Sequence, residues 1–97
     1  MSQRSPRWLW LDTVENRVRH ATLGPHAGYV AHVLAVRYIN GSQEAWPSQR
    51  ELAAATGLTD RTVREALHEL QRNQLLDVRR GHPARTSGNV YRLTNPE

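Results

Sequence analysis

The stretch "SQRELAAATGLTDRTVREALHEL", residues 48–70, holds two short helical patterns separated by a glycine. Ser48 and Glu51 stand three apart, as a capping box requires, and open a helix over about 48–55. Gly57 breaks it, because glycine enters the left-handed conformation without a Cβ penalty. Thr59 caps a second pattern over about 60–73, in which Val63, Ala66, Leu67 and Leu70 recur at steps of three and four. Ala53, four residues before Gly57, is small enough for the two helices to cross closely. Leu52, Leu58 and the apolar residues of the second helix fill the wedge between the pair and the body of the domain. The second helix then turns outward a polar face of Asp60, Arg61, Thr62, Arg64, Glu65 and His68. Its charges nearly cancel, which argues against a helix that simply attracts phosphate.

This spacing is that of a helix-turn-helix, whose second helix projects its polar face into a major groove. It also suits a plain helical hairpin in an unrelated domain, so the flanks matter. Downstream, Leu75, Leu76 and Val78 lead into a strand, "RRGHPARTSGN" (79–89) reads as a loop, and Val90, Tyr91, Arg92 and Leu93 read as the returning strand. Four arginines and no acid occur between residues 78 and 93. Upstream, Glu44, Ala45 and Trp46 form a short extended segment, with Pro47 holding Trp46 out of the helical region. Pro25 begins a central helix over 25–39 with the stripe Ala27, Val30, Ala31, Leu34 and Tyr38, flanked by Val33 and Val36. Asn40, Gly41 and Ser42 end it. A first helix covers 8–21 through Leu11, Val14, Val18 and Ala21. Two starts fit it: Ser5 as cap with Pro6 at the first position, or Asp12 as cap with Glu15. Trp8, Leu9 and Trp10 are too apolar to be left in water, while residues 1–7 read as disordered.

Ninety-seven residues, 38% of them apolar, make one modest core rather than a deep enzyme cleft. The absence of cysteine excludes disulfides, thiolate catalysis and cysteine-zinc sites. No apolar run approaches the ~18 residues of a membrane span, and no signal-peptide core is present, so a cytoplasmic, nucleoid-associated location is expected. The net charge is +4, and all thirteen basic residues are arginine. Guanidinium forks match phosphate and guanine, which points to an anionic partner. The five histidines show neither an i,i+4 ligand pair nor a spaced carboxylate, and no phosphate loop of the Walker type exists. No enzymatic activity, cofactor, metal or small-molecule ligand is expected.

"AWPSQRELAAATGLTDRTVREALHELQRNQLL" followed by "VRRGHPARTSGNVYRL" resembles the winged helix-turn-helix domains of bacterial, plasmid and phage regulators and replication-associated proteins. The resemblance covers residues 24–94 and rests on Trp46-Pro47-Ser48, Gly57, Arg61-Thr62-Val63 and Tyr91-Arg92-Leu93. It implies a mainly α fold with a small β-hairpin wing (α+β), here with an extra N-terminal helix in an extension over 1–23 and a short tail at 95–97. The implied partner is double-stranded DNA, in transcription regulation or at a plasmid or phage origin or recombination site.

Residue by residue, Arg61, Thr62 and Arg64 are the candidates for base edges. Glu65 and His68 lie further along that face, Glu65 either accepting from cytosine or orienting Arg61. Arg64 alternatively pairs with Asp60 or His68, and Asp60 itself favours the helix dipole. Ser48, Arg50 and Thr59 are candidates for the phosphate backbone. So are Arg79, Arg80, Arg85, Thr86, Ser87 and Asn89 in the wing, with His82 assisting. Two alternatives stay open. Some winged helices serve protein partners instead of DNA, which the near-neutral reading helix would suit. The stripe of residues 8–21 either covers the domain's own core or pairs two protomers in a homodimer.

Overall fold

The computed structural model describes residues 6–39, 44–80 and 89–94. Its elements are α1 (Pro6–Arg19), α2 (Pro25–Val33) running on as a π-helical turn (Leu34–Tyr38), β1 (Glu44–Ala45), α3 (Gln49–Thr56), α4 (Asp60–Arg72), β2 (Leu76–Arg80) and β3 (Asn89–Leu93). Among the described residues no helix is long and apolar enough to cross a membrane.

Pro6 takes the first position of α1, where its fixed φ and missing N–H cost nothing. Asp12 therefore lies inside the helix, and the start at Asp12 is excluded. Pro6 and Arg7 belong to the helix rather than to a disordered arm, while residues 1–5 lie outside the described residues. The helix also ends earlier than its stripe suggests. Ala21 adopts φ +60, and the amides of Ala21 and Thr22 return to the carbonyls of Val18 and Arg17 at 3.0 and 2.9 Å. This is a Schellman turn built without glycine, and it leaves Ala21 exposed.

The same device closes α4: Gln74 sits at φ +62, and Gln74 and Leu75 donate to the carbonyls of Gln71 and Leu70. Between α3 and α4, Gly57 takes φ +75, and its N–H donates to Ala53 at 2.8 Å. Ser48 and Glu51 form the expected capping box, each backbone N–H meeting the other's side chain at 2.9 Å.

α2 keeps the expected stripe, with Ala27, Val30, Ala31 and Leu34 fully buried. Its last turn departs from the 3.6-residue period. The wider π turn buries Ala35 beside Leu34 and leaves Val36 42% exposed. The N-terminus of α2 is capped from α4, since the Gly24 N–H donates to Glu69 Oε2 at 2.7 Å. Along α1, Gly28 of α2 sits so close to Val18 that a Cβ there would fall 2.7 Å from Val18 Cγ2.

The sheet has the order β1-β3-β2, antiparallel throughout. Its ladder pairs Arg79 with Val90 and Arg80 with Asn89. The loop expected over 79–89 is thus shorter than its composition suggests, because backbone pairing does not depend on which polar side chains the strands carry. Residues 81–88, with Arg85, Thr86 and Ser87, lie outside the described residues.

Trp10, Leu11 and Val14 of α1 join one core with Leu34, Leu52, Val63, Leu70, Leu75 and Tyr91. The buried Trp10 indole N–H donates to the Leu75 carbonyl at 2.7 Å. Arg17 reaches Asn73 Oδ1 at 3.3 Å, and Arg7 caps the end of the π turn at the Ala35 carbonyl, 3.4 Å away. The stripe of α1 therefore covers the domain's own core. Trp8 and Leu9, expected to be covered, remain 45% and 48% exposed.

Candidate nucleic-acid interface

Thr59 fixes the start of α4. Its hydroxyl accepts from the Thr62 N–H at 3.1 Å and donates to Thr62 Oγ1 at 2.9 Å. Both functions of that hydroxyl are used inside the cap, so the free donors at this end are the unpaired backbone N–H groups of the first turn. Asp60 stands beside them and complements the helix dipole. Thr62 is half-buried and held by Thr59, whereas Arg61, Arg64, Glu65 and His68 are exposed together on the side of α4 opposite Val63, Ala66, Leu67 and Leu70. The same spacing continues to Gln71 and Arg72, also exposed, which the reading of the sequence stopped short of.

Arg61 Nε lies 3.3 Å from Glu65 Oε2, an i,i+4 pair exposed at both ends. Glu65 thus orients Arg61, and a pair so open to water contributes no more than ~0.5 kcal/mol. Among the described residues Arg64 has no ion-pair partner, so the alternative pairing with Asp60 or His68 is not formed. Arg50 is exposed within the first turn of α3, two residues after the Ser48 cap.

On the wing, Arg79 has acidic neighbours that lie outside the 78–93 segment in sequence. Its guanidinium is 4.0 Å from Glu44 of β1 and 4.0 Å from Asp77 of β2. Glu44 and Asp77 both stand opposite Arg92 in the ladder, which draws two acids and two arginines together across the three strands. Asn89 turns its side chain to Tyr91, whose buried hydroxyl is pushed above the ordinary phenol range by burial, partly opposed by that hydrogen bond. Arg80 is placed by its backbone pairing at the outer end of β2.

A family model described as a helix-turn-helix domain matches residues 23–76. No curated protein matches the sequence. Among solved structures, the crystal structure of a transcriptional regulator, PA3341, is similar, with a TM-score of 0.60 and 26% identity over 89% of this chain. The chain spans 58% of the length of that regulator's chain. The family match spans α2, the capped pair α3 and α4 turning on Gly57, and ends as β2 begins. The chain belongs to the helix-turn-helix domain family and carries the winged form of that DNA-binding fold.

Proposed function

We propose that the chain is a sequence-specific regulator of double-stranded DNA, acting in transcription or at a plasmid or phage origin or recombination site. The observation that carries this reading is the outward row of Arg61, Arg64, Glu65 and His68 on a helix whose start is fixed by a side-chain cap. In the major groove, Arg61 and Arg64 fork onto guanines, Thr62 contributes its remaining hydroxyl proton, and Glu65 and His68 meet the bases further along. Ser48, Arg50 and the amides after Thr59 hold one phosphate strand, and Arg79, Arg80, Arg85, Thr86, Ser87 and Asn89 hold the backbone or the adjacent minor groove. Arg79 exchanges Glu44 and Asp77 for phosphate in this arrangement, so it contributes less than Arg80 or Arg85.

Neutralising roughly 4 to 6 phosphates per protomer gives a log–log salt slope of about −4 to −5. An anisotropy titration against a sequence selected from a random pool measures it, and a slope near zero refutes the electrostatic part. The self-neutralised pair on α4 and the paired Arg79 favour a second reading, a winged helix that docks a protein partner. Retention on random-sequence DNA at low salt separates the two, because that alternative requires none.

A further inference from the structure

The last turn of α4 is tied by hydrogen bonds to the connection between α1 and α2. Glu69 turns its carboxylate to the Gly24 N–H, 2.7 Å away at the start of α2. Its carbonyl receives the backbone N–H of Asn73 at 3.1 Å and the Asn73 side-chain amide at 2.9 Å. The oxygen of that side chain, Asn73 Oδ1, accepts from Arg17 at 3.3 Å. Arg17 stands in the last turn of α1, and its own carbonyl closes the connection. The Thr22 N–H, the Leu23 N–H and the Thr22 hydroxyl all donate to it, at 2.9, 3.2 and 3.1 Å. Residues 17–24 therefore bracket Glu69 and Asn73 from two sides, and the Arg17 charge lies at the negative end of the α4 dipole. Arg17, Glu69 and Asn73 are all half-buried, apart from the exposed row of α4.

We propose that Arg17, acting through Asn73, is a positioning residue for the reading helix and sets its preference for the base pairs met by the half that carries His68, Gln71 and Arg72. The inference rests on the DNA reading above. The Gly57 turn and the Thr59 cap fix the N-terminal end of α4. Val63, Ala66, Leu67 and Leu70 hold the helix to the core, but apolar contact is non-directional and permits small tilts. The hydrogen bonds at the far end set the angle. At about 1.5 Å per residue, Arg61 lies about 3 Å and His68 about 13 Å along the axis from Thr59. A tilt about that cap therefore moves His68 roughly four times as far as Arg61. Side chains in a binding site must be held within about 0.5 Å, and a tilt of about 3° exceeds this at His68 but not at Arg61. Loss of the Arg17–Asn73 bond thus blurs reading at one end of the helix and spares the other.

The test is selection of bound duplexes from a random pool by the full chain, followed by competition titrations. It compares wild type with Arg17→Met, Arg17→Lys and Asn73→Ala, while Arg61→Ala marks the positions read by the N-terminal half. Titrations run at a temperature where circular dichroism shows each variant fully folded, so lost stability does not enter. Arg17→Met and Asn73→Ala are each expected to lower discrimination about fivefold or more at positions other than those Arg61→Ala relaxes. Combining the two is expected to add nothing, since they break one bond. Arg17→Lys keeps a donor and is expected to restore most of the preference; it decides against Arg17→Met even where Asn73→Ala does not fold. A charge acting directly on DNA gives a different pattern: Arg17→Met weakens all sequences alike and Asn73→Ala weakens none. That pattern overturns the proposal. So do unchanged preferences in Arg17→Met, or a loss confined to the positions Arg61 reads. A wild type that shows no sequence preference removes the DNA reading and this proposal with it, and the wild-type arm alone reveals that case.

Discussion

Replacing Gly57 by alanine isolates the backbone contribution of the turn between α3 and α4. A Cβ at this position would meet no atom within 4 Å, so no clash contributes. The backbone, however, sits at φ +75, where an L side chain costs roughly 1–2 kcal/mol. Alanine recovers about 0.4–1 kcal/mol of this by restricting the unfolded chain. The net loss is about 1 kcal/mol, which for a domain of this size lowers Tm by about 4–8 °C. Total stability of such a domain is on the order of 5–15 kcal/mol, so the variant still folds and the loss is measurable. Gly57→Asn should lose less than Gly57→Ala, since asparagine tolerates the left-handed region. Ala21→Gly and Gln74→Gly should move the other way, because those residues hold the same conformation with side chains attached, at φ +60 and +62. Thermal melts followed by circular dichroism, with urea midpoints as a second measure, supply the comparison. A Gly57→Ala variant melting with wild type, or an asparagine variant as unstable as the alanine one, refutes the strain argument.

Four further outcomes follow from specific contacts. Trp10→Phe removes the 2.7 Å bond to the Leu75 carbonyl, which keeps the Thr94 N–H at 3.1 Å, and should cost about 0.5–1.5 kcal/mol by urea denaturation. Glu69→Ala removes the charge-assisted bond to the Gly24 amide and should cost on the order of 1–2 kcal/mol, with α2 fraying first in amide exchange. On the proposed DNA reading, Arg61→Ala relaxes base preference, whereas Arg80→Ala or Arg85→Ala weakens binding to all sequences alike; competition titrations showing the same pattern for both kinds of change would contradict this division. Burial raises the Tyr91 pKa, so the folded chain keeps that proton to higher pH than the unfolded one. Its contribution is complete below about pH 10 and is lost as pH rises beyond that value, a decline in urea midpoint that Tyr91→Phe should remove.

The helix-turn-helix was legible because a polar residue or a glycine marks each boundary and admits one geometry there: Ser48 with Glu51, Gly57, then Thr59. The outward row on α4 was legible for the same reason, since a 3.6-residue period assigns faces once the start is fixed. The ends of α1 and α4 were less so, because Ala21 and Gln74 take a conformation that sequence associates with glycine. The π turn was hidden because one extra residue in a turn changes no composition, and it moves Ala35 inward and Val36 outward. Of the two acids near Arg79, Asp77 stands two residues before it in sequence, and only Glu44 was hidden. Glu44 is far away in sequence and reaches Arg79 through strand order alone.

The bond from Trp10 to Leu75 also sets an order of events during synthesis. Its partners are 65 residues apart, so at about 5–20 residues per second α1 leaves the ribosome some 3–13 s before its acceptor is made. Tyr91 and Leu93, which share that core, emerge later still. Through this interval Trp10, Leu11 and Val14 have no completed core to dock on. These three side chains are therefore made ahead of the residues that cover them, and chaperone occupancy or aggregation during expression should depend on them more than their burial in the finished fold would suggest.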